Sequence, residues 1–336
     1  MVRLDDVAKF AGVSKNTASR VLNNRGYISA ETRQKVMHAI KELNYHPNET
    51  ARNLLKGKSG LIGLLVPNIS TPYYAEIIDI VEKELMQRDY KLLLCNSSHN
   101  MEIEQKFLKM FQSCRVEGLI LCDHDLSGDD YANMTFPIVS VDRYVRKDVS
   151  FICSNHRLGG ELAAEEILRC GCKNVLQVSG PREQATTWNE RHIVFEKLLR
   201  EQNVICNTLE VERFSRIHDF AVIKELLHEK LDEISDCDAF FGGDLWAVAA
   251  LQEAIARGKS VPKNFKIIGY DGTPYSEIVT PPITTIRTHA DKIAIAAVDT
   301  VCRMIDGVLV GTCKIEFDVE LIRRKSTQAV IKKSKC

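Results

Sequence analysis

The sequence predicts a small all-α head joined by a short linker to an α/β core of two doubly wound parallel-sheet lobes. Three observations carry that prediction. The apolar pattern of the first 47 residues is helical throughout. From Leu61 onward, short apolar runs alternate with amphipathic stretches, the βαβα order of a parallel sheet covered on both faces. That order breaks and resumes after about residue 155, and 336 residues give room for about two ordinary domains and one small module.

In the head, Leu4, Val7, Ala8 and Ala11 set an apolar stripe on a short helix that stops at Gly12. Ser14 opens a second helix, capping its free N–H groups, and Ala18, Val21 and Leu22 face inward. The outer side of that helix presents Lys15, Asn16, Thr17, Ser19 and Arg20. After a turn at Asn23, Asn24, Arg25 and Gly26, Ser29 starts a third helix whose Val36, Ile40 and Leu43 close a miniature core. Two short helices around a Gly-containing turn, the second rich in hydrogen-bonding side chains, fit a helix-turn-helix reader of the DNA major groove. Amides and guanidinium groups pair with base edges there, while Lys and hydroxyl groups hold phosphates.

The charge distribution agrees. Residues 1–58 hold eleven Lys/Arg against five Asp/Glu, a net +6, which leaves −6 for the remainder of a formally neutral chain. A basic module on an acidic body suits nucleic-acid binding by the head alone. Composition, 45% hydrophobic and 27% charged, excludes disordered, collagen-like and coiled-coil classes. No apolar run approaches the roughly 18–20 residues of a membrane-spanning helix, and MVRLDDVAKF lacks a signal peptide's apolar stretch, so a cytoplasmic location is expected. The eleven cysteines are scattered through apolar runs such as KLLLCN and EGLILCD and read as buried, reduced thiols. Cys170 and Cys172 form the only close pair and lack the stock zinc spacings, so neither metal nor cofactor is expected.

Pro47 and Asn48 end the third helix, and Glu49 to Lys56 are helix-compatible but too few to hold a helix alone in water. In the body, Leu61–Val66, Leu92–Cys95 and Leu119–Cys122 read as strands of a first lobe. Tyr74, Ile77, Ile78, Val81 and Leu85 lie at helical spacing between the first two. Val175–Val178, Ala239–Phe241 and Lys266–Ile268 supply strands of a second lobe. Ligands on such sheets bind beyond the carboxyl ends of the strands. The residues there are Asn68, Tyr73 and Tyr74, then Asp142 and Arg143, Arg191, Asp244 after FFGG, and Asp271 after IIGY. Carboxylates, amides and Arg can ring a polyol with paired hydrogen bonds, and an aromatic face covers the C–H face of a sugar. Trp188 and Trp246 are candidate platforms, and equally candidates for core or interface positions. The expected boundaries are 1–47 for the head, 48–59 for a hinge and 60–324 for the core. Lobe 1 then takes about 60–155 and 287–317, lobe 2 about 156–286 and 318–324, and 325–336 forms a basic tail.

The runs DVAKFAGVSKNTASRVLNN, ETRQKVMHAIKELNYHPN and ARNLLKGKSGLIGLL closely resemble the head of the lactose-repressor (LacI) family of bacterial transcription factors. That resemblance implies that Lys15 and Asn16 read bases, that Thr17, Ser19 and Arg20 face bases or phosphates, and that Asn23 and Tyr45 support backbone contacts. Arg3 stands where many members carry a capping Thr. By the same resemblance, 48–59 is a hinge helix that orders in the dimer on operator DNA, and Leu54 wedges into the minor groove. GDLWAVAALQEA, KIIGYDGTPYSEIVTPPITTIR and RHIVF look like the family's effector-binding core, which shares its fold with periplasmic sugar-binding proteins. On that match Asp142, Arg191, Asp244 and the Asn68–Tyr74 loop contact the effector. PNISTPYYAEIID, LLLCNSSH and GYDGT look most like sucrose-operon and related sugar repressors.

An enzyme acting on a sugar is the competing expectation, since α/β lobes host many activities. No G-x-S-x-G elbow, Walker-type loop or G-x-G-x-x-G follows a strand, and His124, between Asp123 and Asp125, reads as a solvated turn. The expectation is a cytoplasmic, homodimeric repressor of a pseudo-palindromic operator, controlled by a sugar or sugar phosphate between the lobes. A corepressor or partner protein in place of an inducer would leave the same residues in place. The last residues, with Arg323, Arg324, Lys325, Lys332, Lys333 and Lys335 and no acidic partner, are expected to form a flexible tail without tetramerising heptads.

Overall fold

In a computed structural model of the chain, the described residues are 2–22, 25–45, 58–122, 126–181, 186–211, 219–234 and 236–328. They form two compact units, residues 1–59 and 60–336. In the first, α1 (Leu4–Phe10), α2 (Lys15–Leu22) and α3 (Ala30–Glu42) close on Val7, Ala8, Ala11, Ala18, Val21, Val36 and Ala39. Gly12, at φ +65°, supplies the left-handed turn between α1 and α2. Ser14 Oγ accepts the Thr17 N–H at 3.1 Å, so the expected cap forms, and Ser29 Oγ likewise caps α3 by accepting the Thr32 N–H at 3.2 Å. At α1 the Arg3 backbone N–H instead donates to Asp6 Oδ2 at 2.8 Å. An acid three residues inside the helix thus supplies half of a capping box that a Thr at position 3 would have completed.

The second unit holds two six-stranded sheets. Lobe 1 is built from β1 (Leu61–Val66), β2 (Lys91–Asn96), β3 (Gly118–Cys122), β4 (Ile138–Val141), β5 (Ser150–Ser154) and, from far down the chain, β11 (Lys314–Phe317). Its strand order, β11-β5-β4-β3-β1-β2, is parallel throughout. Helices α4 (Pro72–Met86) and α11 (Ala290–Ile305) cover one face, burying Ile77, Val81 and Leu85 against Ile293, Ala297 and Val301; α5 (Met101–Ser113) covers the other through Leu108 and Phe111.

Lobe 2 contains β6 (Asn174–Ser179), β7 (Ile205–Glu210), β8 (Ala239–Phe241), β9 (Lys266–Asp271), β10 (Thr284–Arg287) and β12 (Glu320–Ile322), ordered β12-β10-β9-β8-β6-β7. Here one pair, β10 with β12, runs antiparallel. β11 runs parallel to β5 and ends at the carboxyl edge of lobe 1, so two residues later the chain enters lobe 2 from that lobe's own carboxyl edge and β12 runs against β10. Helices α6 (His156–Arg169) and α7 (Glu190–Glu201) pack one face; α8 (Phe220–Glu233) and α9 (Asp244–Ala256) pack the other, and the one-turn α10 (Tyr275–Ile278) follows β9. The chain passes between lobes after β5, after β10 and after β11. Ser154 Oγ to the Thr288 carbonyl, 3.2 Å, and Asn155 Nδ2 to Asp318 Oδ1, 2.9 Å, tie these crossings together.

The expectation of a flexible tail without acidic partners needs correction. Arg323 Nε donates to the buried Glu166 at 2.9 Å, and Thr327 Oγ1 donates to the same carboxylate at 2.6 Å. Ser326 Oγ donates to the Ile267 carbonyl at 2.6 Å and accepts the Thr284 N–H at 2.8 Å. Hydrogen bonds from Arg169, Thr327 and Arg323 hold the Glu166 carboxyl at about 2 although burial alone would raise it. Residues through 327 therefore belong to lobe 2; Lys332, Lys333 and Lys335 lie outside the described residues.

Candidate functional site

Two surfaces carry the expected chemistry. In the head, the spacing that buries Ala18 and Val21 turns Lys15, Asn16 and Arg20 outward, with Thr17 and Ser19 half-exposed beside them. Lys15 Nζ pairs with Asp5 Oδ2 at 2.8 Å, which ties the start of α2 to α1. Arg20 Nε donates to the Arg25 carbonyl at 3.3 Å, and its guanidinium lies where a side chain at Gly26 would sit. Thr17 spends its hydroxyl on Ser14, Oγ to Oγ 2.8 Å, leaving Asn16 as an exposed amide at the helix start. Tyr45 packs against the miniature core rather than projecting freely. Asn23, Leu54 and most of the expected hinge lie outside the described residues, as do Asp123, His124 and Asp125.

The second surface is a cleft of about 190 Å³ between the lobes, at the carboxyl ends of the strands. Lobe 1 supplies Thr71 to Tyr74 at the start of α4, His99 after β2 and Asp142 after β4. Lobe 2 supplies His156, Trp188, Arg191, Trp246, and the Asp271 to Thr273 turn after β9. The loops converge because every strand but β12 points the same way within its sheet, while successive helices deliver their N-termini to the same edge.

Three carboxylates, Asp244 buried and Asp142 and Asp271 half-buried, have distinct roles. Asp142, held at φ +56°, accepts the Ser154 N–H at 3.0 Å, His156 Nε2 at 3.3 Å and the Tyr73 hydroxyl. Burial pushes its pKa up, yet the hydrogen bonds from His156, Tyr73 and Ser154 outweigh it and hold the carboxyl below its usual range. Asp271, at φ +96°, presents a carboxylate that accepts no hydrogen bond from any described residue; burial raises its pKa and the Arg191 charge opposes the rise. Asp244 is filled instead. It accepts Thr285 Oγ1 at 2.6 Å, the Thr273 N–H at 2.6 Å and Thr273 Oγ1 at 2.8 Å, which pins the start of α9 to the turn after β9. Burial, aided by the neighbouring Asp271 charge, pushes its carboxyl up to about 7.

Arg191 stands over the Tyr270 ring, 4.0 Å from its centroid, and donates from Nε to His192 Nε2 at 3.1 Å. His192 Nδ1 in turn meets Gln177 Oε1 at 3.1 Å, so its tautomer follows from its neighbours. Tyr73 and Tyr74 meet edge to face at 5.3 Å. The remaining two expected residues stand apart. Asn68 Oδ1 accepts the N–H groups of Ser70 at 2.6 Å and Thr71 at 3.1 Å, shaping the loop that delivers Tyr73 without itself lining the cleft. Arg143 also lies outside the lining; its carbonyl accepts the Ser140 hydroxyl and its charge acts on Tyr131. Sequence reasoning missed His156, Thr273 and Thr288. His156 carries a faint signal in the run HRLGG at the start of a helix. Among the described residues, no group of three or more His, Cys, Asp or Glu could hold a metal ion, and no helix is long and apolar enough to cross a membrane.

Comparison with known proteins bears on both surfaces. Residues 3–48 match the model of bacterial regulatory proteins of the lacI family, and residues 164–327 match a periplasmic binding protein-like domain. The chain is 33% identical over 330 residues to the ribose operon repressor of Halalkalibacterium halodurans, covering 98% of each chain. It is 35% identical over 306 residues to the sucrose operon repressor of Streptococcus mutans, covering 91% of this chain and 93% of that one. The lac repressor dimer bound to operator and the anti-inducer ONPF superposes with a TM-score of 0.82 at 26% identity, covering 98% of this chain and 99% of that one. With a helix-turn-helix head, a two-lobed core and full-length relatives of this similarity, the chain belongs to the lacI family of bacterial regulatory proteins.

Proposed function

We propose that the protein is a cytoplasmic repressor that grips a pseudo-palindromic operator as a homodimer and whose operator affinity is set by an uncharged sugar held between its lobes. Catalysis forms no part of this reading. Repressor names among full-length relatives, and similarity to a dimer bound to operator, support the DNA-binding half. In the head, Lys15, Asn16, Thr17, Ser19 and Arg20 face the groove; Asn23, Tyr45 and Leu54 complete the DNA contacts.

The observation that carries the effector half is the open Asp271 carboxylate, half-buried in a cleft that Arg191 and two tryptophans also line. A half-buried carboxylate that no described residue fills is available to accept a ligand hydroxyl. Tryptophans lining the same cleft offer indole rings that suit the C–H face of a sugar. Asp142 and Asp271 outnumber Arg191, the one guanidinium among the described lining residues, so a phosphate would meet a net negative wall. Asp244 acts in this scheme by holding the Thr273 turn.

The test is a fluorescence anisotropy titration of labelled duplexes at low ionic strength, repeated with D-ribose, sucrose, other neutral sugars and their phosphates. One class of pseudo-palindromic duplex is expected to bind roughly 10³-fold or more tighter than unrelated DNA. A neutral sugar is expected to change that affinity. Equal binding to all duplexes, or a response to phosphorylated sugars alone, overturns the proposal.

A further inference from the structure

Asp142 and Arg191 reach the cleft from different lobes, so their register depends on whatever joins the lobes there. His156 lies between their supports. Its imidazole, 5% exposed, is the first residue of α6, immediately past the crossing that leaves β5. Nε2 faces Asp142 Oδ1 at 3.3 Å and Nδ1 faces the Tyr270 hydroxyl at 2.9 Å. A carboxylate only accepts, so Nε2 carries the hydrogen; in the neutral ring Nδ1 then accepts from Tyr270. A hydrogen-bonded chain thus runs through Tyr73, Asp142, His156 and Tyr270, from an aromatic of lobe 1 to the ring beneath Arg191 in lobe 2.

A second feature serves the same arrangement. A Cβ on Gly159 would stand 2.4 Å from the Tyr270 hydroxyl oxygen, and one on Gly160 would stand 2.3 Å from the Arg191 carbonyl oxygen. Neither glycine has a left-handed backbone, so they provide space rather than conformational freedom. Without side chains at these two positions, α6 admits Tyr270 close enough to bond His156 and admits the helix that carries Arg191. The run HRLGG is therefore one device: a donor at the helix start and a bare surface one turn later.

We propose that His156 is a positioning residue that presets the effector cleft from both sides, orienting Asp142 and Tyr73 in lobe 1 and the Tyr270–Arg191 stack in lobe 2. This role rests on reading the cleft as the effector site, but its test needs neither effector nor DNA. The chain has two tryptophans and both line the cleft, so acrylamide quenching of their emission reports cleft opening in the free protein.

His156→Phe keeps a ring and removes both bonds, and it is expected to raise the quenching constant roughly twofold as the minor open state gains population. Tyr270→Phe, which deletes one hydroxyl and leaves the packing, should give a smaller rise. His156→Gln, able to donate to Asp142, should restore most of the protection. Each variant's near-ultraviolet circular dichroism checks that the core is folded. Unchanged quenching in folded His156→Phe, or in Tyr270→Phe should the former not fold, overturns the proposal, as does a Gln variant no better than Phe. Operator binding measured in parallel separates this failure from failure of the proposed function.

Discussion

At the scale of single residues, what a side chain can do depends on which of its hydrogen-bonding atoms its neighbours have already used. Asn16 is exposed at the start of α2, whereas Lys15 is tied to Asp5 and Thr17 to Ser14. An amide can pair bidentately with adenine, and a good pair discriminates by about 1–3 kcal/mol. Asn16→Ala should therefore compress the affinity ratio between operator variants at one base position, by roughly tenfold or more, with the melting temperature unchanged. Competition binding with single-base operator variants checks this. Asp244 shows the opposite condition, both oxygens occupied and the carboxyl pushed up to about 7 by burial and by Asp271. Its folded state holds the proton more tightly than the unfolded chain does, so its contribution is full below the ordinary value of 3.8 and is lost as pH rises to about 7. Asp244→Asn, a permanently uncharged stand-in, should lose less stability than the parent protein between pH 5 and pH 8. Urea midpoints at the two pH values decide it.

At the scale of elements, α6 shows close packing overriding intrinsic helix preference. Ala is favoured over Gly inside a helix by about 1 kcal/mol, which taken alone makes Gly160→Ala stabilising. A methyl 2.3 Å from the Arg191 carbonyl cannot be accommodated without moving α7, and overpacking of that kind costs about 1–3 kcal/mol. Destabilisation is the expected net result, with a lower melting temperature and weaker sugar response together, because α7 carries Arg191. A rise in melting temperature would show that α7 yields freely. Half of the strands had ranges legible in the sequence, and four of them, β1, β3, β6 and β8, are short runs buried along almost their whole length; β4, β5, β7 and β10 had none. The edge strands β11 and β12 had none either. Their residues are half-exposed, and only pairing with β5 and β10 makes them strands.

At the scale of the whole molecule, the cleft belongs to both lobes, and three crossings connect them. A ligand that prefers one lobe arrangement shifts the population toward it by no more than its differential affinity. If the sugar changes operator affinity by some factor, operator must change sugar affinity by the same factor. Tryptophan emission during sugar titrations, with and without saturating operator duplex, measures the reciprocal quantity. The two factors should agree within error; a mismatch would mean that the sugar acts somewhere other than the cleft occupied in the titration.

The sequence by itself determined the helices of the head, the alternation of strands and helices in the core, the charge asymmetry and the strand-end clustering of Asp142, Arg191, Asp244 and Asp271. All of these follow from local periodicity, net charge and chain order. Tertiary structure alone decided which of those groups remain available to a ligand. Asp244 is consumed by Thr273 and Thr285, 29 and 41 residues away, while Asp271 stays open. Tertiary structure also brought His156 to Asp142 and Tyr270, 14 and 114 residues distant. The physical reason is that hydrogen-bond saturation depends on through-space neighbours, which residue spacing along one chain does not encode.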